Sequence, residues 1–162
     1  MELNVGTRIA FNNGVTYEVK DFLGAGGEGI VYLVKSLADN RDYALKILLD
    51  SDENRKERKK RNIHALMSER ANERFNKIGE SYQIGYTFPL SFCEYEGKPL
   101  YVMELARGVT LESVMHSKTG TMRSKDTKYK LHLAQKIARA IEVLERLGKS
   151  YTNIKWGKFM YD

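Results

Sequence analysis

The sequence predicts an α+β fold, with a strand-rich segment over residues 1–105 followed by a helical segment over residues 106–162. Three observations carry this expectation: apolar alternation broken by tight-turn residues in the first segment, a glycine-rich run joining two of its strands, and an apolar stripe at helical spacing in the second.

Thr7 to Phe11 and Thr16 to Phe22 alternate as strands do, and Asn12-Asn13-Gly14 between them is a hairpin signal. Ile30 to Val34 and Tyr43 to Leu49 follow as strands joined by the polar turn Ala38 to Asp42. Asp50, Ser51 and Asp52 can cap a helix that starts near Glu53 and runs to at least Met67, with Ile63, Leu66 and Met67 facing inward. Phe88 to Tyr95 and Leu100 to Leu105 form a further hairpin around Glu96-Gly97-Lys98-Pro99.

Beyond Gly108, Thr110 can cap a short helix through Leu111, Val114 and Met115, and the polar stretch from Ser117 to Asp126 reads as a loop. A long helix over residues 126–147 then places Leu133, Ile137, Ile141 and Leu144 on one stripe, and Gly148 stands where it should stop.

With 162 residues, 42% of them hydrophobic, the chain can bury one globular core, or one and a half small ones. A lone cysteine, Cys93, precludes an intrachain disulfide and offers no metal-site spacing, which suits a reducing compartment. The N-terminus has no basic-then-apolar leader, and no stretch approaches the roughly 18 apolar residues of a membrane span, so a cytoplasmic protein is expected, with no membrane partner. The net charge of +6 is concentrated in Arg55-Lys56-Glu57-Arg58-Lys59-Lys60-Arg61. No aromatic residue interleaves that run to stack on bases, so a solvated helix face is expected rather than nucleic-acid binding.

The chemistry-bearing motif is Leu23-Gly24-Ala25-Gly26-Gly27-Glu28-Gly29-Ile30-Val31, in which Gly24, Gly26 and Gly29 make G-x-G-x-x-G. Glycines let backbone N–H groups approach phosphate oxygens with no Cβ in the way. Taken alone, the motif is equally an ordinary glycine-rich hairpin. A dinucleotide-binding turn of the same spacing would lead into a helix, whereas this run leads into a strand. Lys46 follows on the next strand, flanked by Ala44, Leu45, Ile47 and Leu48. A charge in such surroundings usually has a partner.

Glycine loop, strand lysine, following helix and the Met103-Glu104-Leu105-Ala106 segment together resemble the protein kinase family over nearly the whole chain. The resemblance implies a kinase-like α+β fold. It would comprise a five-stranded antiparallel N-terminal lobe with its helix C over residues 1–105, and the first helices of an incomplete C-terminal lobe over residues 106–162. It implies that Leu23, Val31 and Ala44 sandwich the adenine of ATP, that Met103 is the gatekeeper, and that Glu104 to Ala106 offer backbone hydrogen bonds to the base. Lys46 would pair the α- and β-phosphates and be positioned by a helix glutamate. Glu57 is the preferred partner, although Glu69 lies nearer the family's sequence separation and Glu57 could equally be a surface pairing residue.

Tyr151-Thr152-Asn153-Ile154-Lys155-Trp156-Gly157-Lys158 falls where the family has His-Arg-Asp-Leu-Lys-Pro-x-Asn, with Phe159 to Asp162 continuing as a strand. Asn153 thus stands in place of the catalytic aspartate, and only Lys155 keeps a polar catalytic identity. Lys158 replaces the magnesium-holding asparagine, and an ammonium has no lone pair for a metal. The sequence ends before an Asp-Phe-Gly segment, so the expectation is a truncated pseudokinase, with an ATP pocket, doubtful magnesium binding and no normal phosphotransfer. In a complete kinase later helices cover the stripe of the long helix. Burying each Leu or Ile is worth roughly 1.5–3 kcal/mol, so a protein partner or homodimer is expected on the apolar face of helix 126–147, or else a helix folded back on the N-terminal lobe. The alternatives are an active serine/threonine protein kinase, atypical or completed by another chain, and a basic interaction module.

Overall fold

The computed structural model describes residues 2–27, 29–69, 87–106, 108–116, 125–146 and 160–161. The chain divides into two compact units, Met1–Ala71 with Thr87–Leu105, and Asn72–Tyr86 with Ala106–Asp162.

The first unit is built on one antiparallel sheet. Its strands are β1 (Arg8–Ala10), β2 (Thr16–Gly26), β3 (Gly29–Ser36), β4 (Asp42–Leu48), β5 (Pro89–Tyr95) and β6 (Lys98–Glu104), in the order β1-β2-β3-β4-β6-β5. It therefore has six strands rather than the five the resemblance implies. The additional one is the three-residue β1, which pairs with β2 from Arg8↔Glu18 to Ala10↔Thr16.

Turn chemistry sets these pairings. Asn13 Oδ1 accepts a hydrogen bond from the Val15 amide at 3.1 Å, and Gly14 takes φ +79°, closing the first hairpin. At the end of β3 the Ser36 hydroxyl accepts from the amides of Ala38 and Asp39, and Asn40 adopts φ +59°, which asparagine tolerates. Glu96 and Gly97 both have positive φ, giving a two-residue turn. Lys98 and Pro99, expected in that turn, instead open β6.

The turn of the first hairpin is fastened to the far edge of the sheet. The Asn12 amide donates to the Phe92 carbonyl at 3.0 Å, and the Asn13 amide donates to Ser91 Oγ at 3.1 Å. The two edges are thereby brought together, and one face of the sheet turns inward. Side chains alternate across a strand, so one set of positions supplies the interior: Ile9, Tyr17, Val19, Tyr32, Val34, Leu45, Ile47, Cys93, Leu100 and Val102 form the core, with Leu3 and Phe11. Burial pushes the Cys93 thiol up to about 11, so it behaves as a small core hydrophobe.

Helix α1 (Glu53–Glu69) starts as the sequence predicts: Asp52 Oδ1 accepts from the Arg55 amide at 3.1 Å. Asp50, just before it, has a side chain only 2% exposed. Its carboxylate accepts two hydrogen bonds from the Arg55 guanidinium, one from Lys59 and one from the Asp52 amide. These donors, the Arg55 guanidinium foremost, hold the Asp50 carboxyl well below the usual carboxylate range. Ile63, Leu66 and Met67 are half-buried, as expected, and α1 packs on β5.

The second unit contains β7 (Val109–Thr110), α2 (Leu111–His116), α3 (Thr127–Arg146) and β8 (Met160–Tyr161). Thr110 Oγ1 caps α2 through the Ser113 amide at 3.2 Å, and Asp126 Oδ1 caps α3 through the Tyr129 amide at 2.8 Å. Within the predicted strand 159–162, Met160 and Tyr161 pair with β7. Leu111 is buried against Tyr129, Leu133 and Ile137, so α2 covers part of the expected stripe, while Ile141 and Leu144 are half-buried.

Two outcomes follow from this packing. A Cβ at Gly29 would overlap the Ile47 carbonyl oxygen and sit at φ +145°, whereas one at Gly24 or Gly26 would meet nothing within 4 Å. Gly29→Ala should therefore cost at least about 2 kcal/mol in urea unfolding, and Gly24→Ala or Gly26→Ala no more than about 1 kcal/mol. Asp50 is depressed in the folded state relative to an unfolded value near 4, so its contribution is present above that value and fades as pH falls. The urea midpoint should drop from about pH 5 downward, and Asp50→Asn should flatten that dependence.

Candidate nucleotide site on the outer face of the sheet

The face of the sheet opposite the core carries the candidate site. Residues directly opposite in antiparallel strands share a face. One line of partners crosses five strands: Gly24 on β2, Val31 on β3, Lys46 on β4, Tyr101 on β6 and Phe92 on β5. The neighbouring line on the same face runs through Leu33, Ala44 and Met103. Register thus brings together five residues that the sequence singles out, Gly24, Val31, Ala44, Lys46 and Met103. Ala44 is buried, and Val31, Lys46 and Met103 are half-buried.

The glycine run forms the end of the β2–β3 hairpin, with Gly26 opposite Gly29. Its three glycines serve different ends. Gly29 is required by the backbone of β4, which leaves no room for a side chain. Gly24 and Gly26 face open space and have no positive φ, so nothing in the described chain demands glycine there. A cradle that a Cβ would fill is what close approach of a phosphate to the backbone requires. Leu23 occupies the register shift between Phe22 and Gly24 and is 48% exposed, leaving apolar surface beside the loop.

Met103 and Glu104 end β6, and the Glu104 amide donates to the Phe88 carbonyl at 3.4 Å. Ala106 is half-buried and belongs to the second unit. Asn153, Lys155 and Lys158 lie outside the described residues, as does Gly148.

Helix α1 lies against the outer line. The His64 ring meets Phe92 edge-on at 4.2 Å and Tyr101 at 5.8 Å. Its half-buried stripe consists of Lys56, Lys59, Lys60, Ile63, His64, Leu66 and Met67. Glu57 lies off that stripe with its side chain 58% exposed, and it accepts a hydrogen bond from Lys60 at 3.3 Å. The described geometry therefore places Glu57 in the surface pairing that the sequence also allowed. Lys60 also approaches the Glu94 carboxylate of β5 at 3.9 Å. With Lys56 on Glu53, and Arg55 and Lys59 on Asp50, much of the basic run is matched by carboxylates of the same unit. Among the described residues no cluster of three or more His, Cys, Asp or Glu could hold a metal ion, and no helix is long and apolar enough to cross a membrane.

Tyr101 is the residue that the sequence reading missed. It is fully buried, and its hydroxyl has no hydrogen-bond partner in the described structure. Burial, reinforced by the fields of Glu57 and Glu94, pushes that hydroxyl up to about 12. The available signal was alternation: Tyr101 stands two residues before Met103 on one strand and so shares its face.

No family model matches the chain, and no curated protein matches it. Solved structures do. The chain resembles the structure of vaccinia related kinase 3 with a TM-score of 0.72 at 16% identity, covering 100% of this chain and 48% of that one. It resembles a mutant form of the Mycobacterium tuberculosis PknI kinase domain with a TM-score of 0.63 at 18% identity, covering 97% of this chain and 57% of that one. For the apo form of PpkA-294 the TM-score is 0.63 at 19% identity, over 96% of this chain and 56% of that one. The chain spans about half the length of these structures. Identity this low speaks for architecture alone: the chain has the fold of the protein kinases over the portion of that fold that it spans.

Proposed function

We propose that the chain is a pseudokinase-like module that binds ATP on the outer face of its first unit and does not carry out normal phosphotransfer. The observation that carries this reading is the line of partners through Gly24, Val31 and Lys46, flanked on the same face by Ala44 and Met103. It provides an apolar surface for a base beside a cation for phosphates, next to a glycine loop with room at Gly24 and Gly26. Leu23, Val31, Ala44 and Met103 would hold the adenine, the backbone of Glu104 to Ala106 would meet its edge, and Lys46 would neutralise the phosphates.

Loss of transfer rests on residue identity. Asn153 cannot serve as the carboxylate base, and Lys158 cannot ligate magnesium. The first consequence of Lys158 is the loss of a metal ligand; that its charge takes the place of the metal is a second reading, tested by the magnesium comparison below. The matched charges of α1 make the basic interaction module the weaker reading.

Thermal unfolding of the chain with ATP, in magnesium and in EDTA, should show a shift in both, and Lys46→Met should remove it. Strict magnesium dependence would refute the role of Lys158. A phosphate-transfer assay should find no activity in the native chain; turnover there would establish the active-kinase alternative, and Asn153→Asp tests whether the base alone is missing. The output of such a module is proposed to be contact with a protein partner or a second copy through the apolar face of α3. Sedimentation should then detect self-association or complex formation, and Ile141→Glu should abolish it; a monodisperse monomer that captures no partner counts against this surface.

A further inference from the structure

We propose that the Tyr101 hydroxyl and the Lys46 ammonium form a two-donor seat for one anionic oxygen. The two residues are direct cross-strand partners, so their Cβ atoms stand side by side on the outer face of the sheet, roughly 5 Å apart. Both side chains are long enough for their tips to meet one atom beyond the sheet. Phe92, across β6 from Lys46, and the His64 ring of α1 both pack against the phenol, with centroid distances of 6.4 and 5.8 Å. A buried hydroxyl without a partner is uncommon and disfavoured, because folding strips its water and returns nothing. Phenylalanine would fill the same space at no such cost. The hydroxyl therefore marks a place where an acceptor arrives.

Two sources supply that chemistry. One is a phosphate oxygen of the nucleotide, and this arm rests on the function proposed above. The other is the Glu57 carboxylate of α1, whose charge acts on the hydroxyl and whose side chain would have to release its i,i+3 partner Lys60 and swing inward.

The test compares the native chain, Tyr101→Phe, Glu57→Gln and the double variant by ATP titration and by thermal unfolding without ligand. Tyr101→Phe should weaken ATP binding roughly five- to tenfold, the loss of one hydrogen bond to a charged group. If that loss persists in the Glu57→Gln background, the oxygen is the phosphate's; if it vanishes there, it is the Glu57 carboxylate. Unchanged ATP affinity in Tyr101→Phe overturns the seat and leaves the nucleotide reading intact. If the native chain binds no ATP, the nucleotide reading fails. The seat then stands only if Tyr101→Phe lowers the ligand-free melting temperature in a manner that Glu57→Gln abolishes, and a rise overturns it.

Discussion

Closure of the sheet is the constraint on which the first unit depends. Two hydrogen bonds from Asn12 and Asn13 to β5 join edges that are otherwise the two ends of a six-stranded ribbon. An open ribbon would leave both edges free to pair with other chains. Once the edges meet, the pleat leaves every strand residue only two choices, interior or exterior. The interior set packs around Val19, Val34, Leu45, Ile47, Leu100 and Val102, each at or near zero exposure. The exterior set is thereby fixed too, and Lys46 stands outside because Leu45 and Ile47 stand inside. A slip of one residue in the β3–β4 or β4–β6 pairing would exchange the two sets. The positions of the candidate site are thus held by core packing and need no interaction of their own.

The helix is attached to this frame at its start and along its middle. At its start, Asp50 takes four hydrogen bonds and fixes where the chain leaves β4. Along its middle, His64 rests on Phe92 and Tyr101, and Lys60 reaches Glu94. Exposed ion pairs of that kind contribute little individually, so the aromatic contacts and the half-buried Ile63, Leu66 and Met67 carry most of the attachment. The azimuth of α1 about its axis is consequently set by a few apolar side chains, with lysines completing the same stripe.

Much of the architecture was legible from residue types. Asn12-Asn13-Gly14, the Asp52 and Thr110 caps and the alternation of β3 and β4 depend on local chemistry, and these elements formed within a residue or two of expectation, except that β2 runs four residues beyond Phe22 into the glycine run. Register was harder to read, since it depends on pairing between distant strands. The resemblance supplied Val31, Ala44, Lys46 and Met103 separately; only pairing shows that they share a face and that Tyr101 shares it. Glu57 illustrates the opposite limit. Sequence separation could not decide between an inward carboxylate and a surface one, because helix azimuth is determined by what the neighbouring faces bury. The three-residue β1 was legible in the alternation of Thr7 to Phe11, and it exceeds only the five-strand count that the resemblance implies.

The joint between Asn13 and Ser91 spans 78 positions of chain. Closing a loop of that length costs roughly 4 kcal/mol of chain entropy before any contact repays it. The hairpins β2–β3 and β5–β6 are local and can form early, but neither can shelter its interior face alone. A ribosome therefore exposes the apolar side of β1 through β4 until β5 has emerged, and the nascent chain must pass through a stage with two unprotected edges. Duration of that stage, rather than strength of the finished core, sets how readily this unit is lost to aggregation during synthesis.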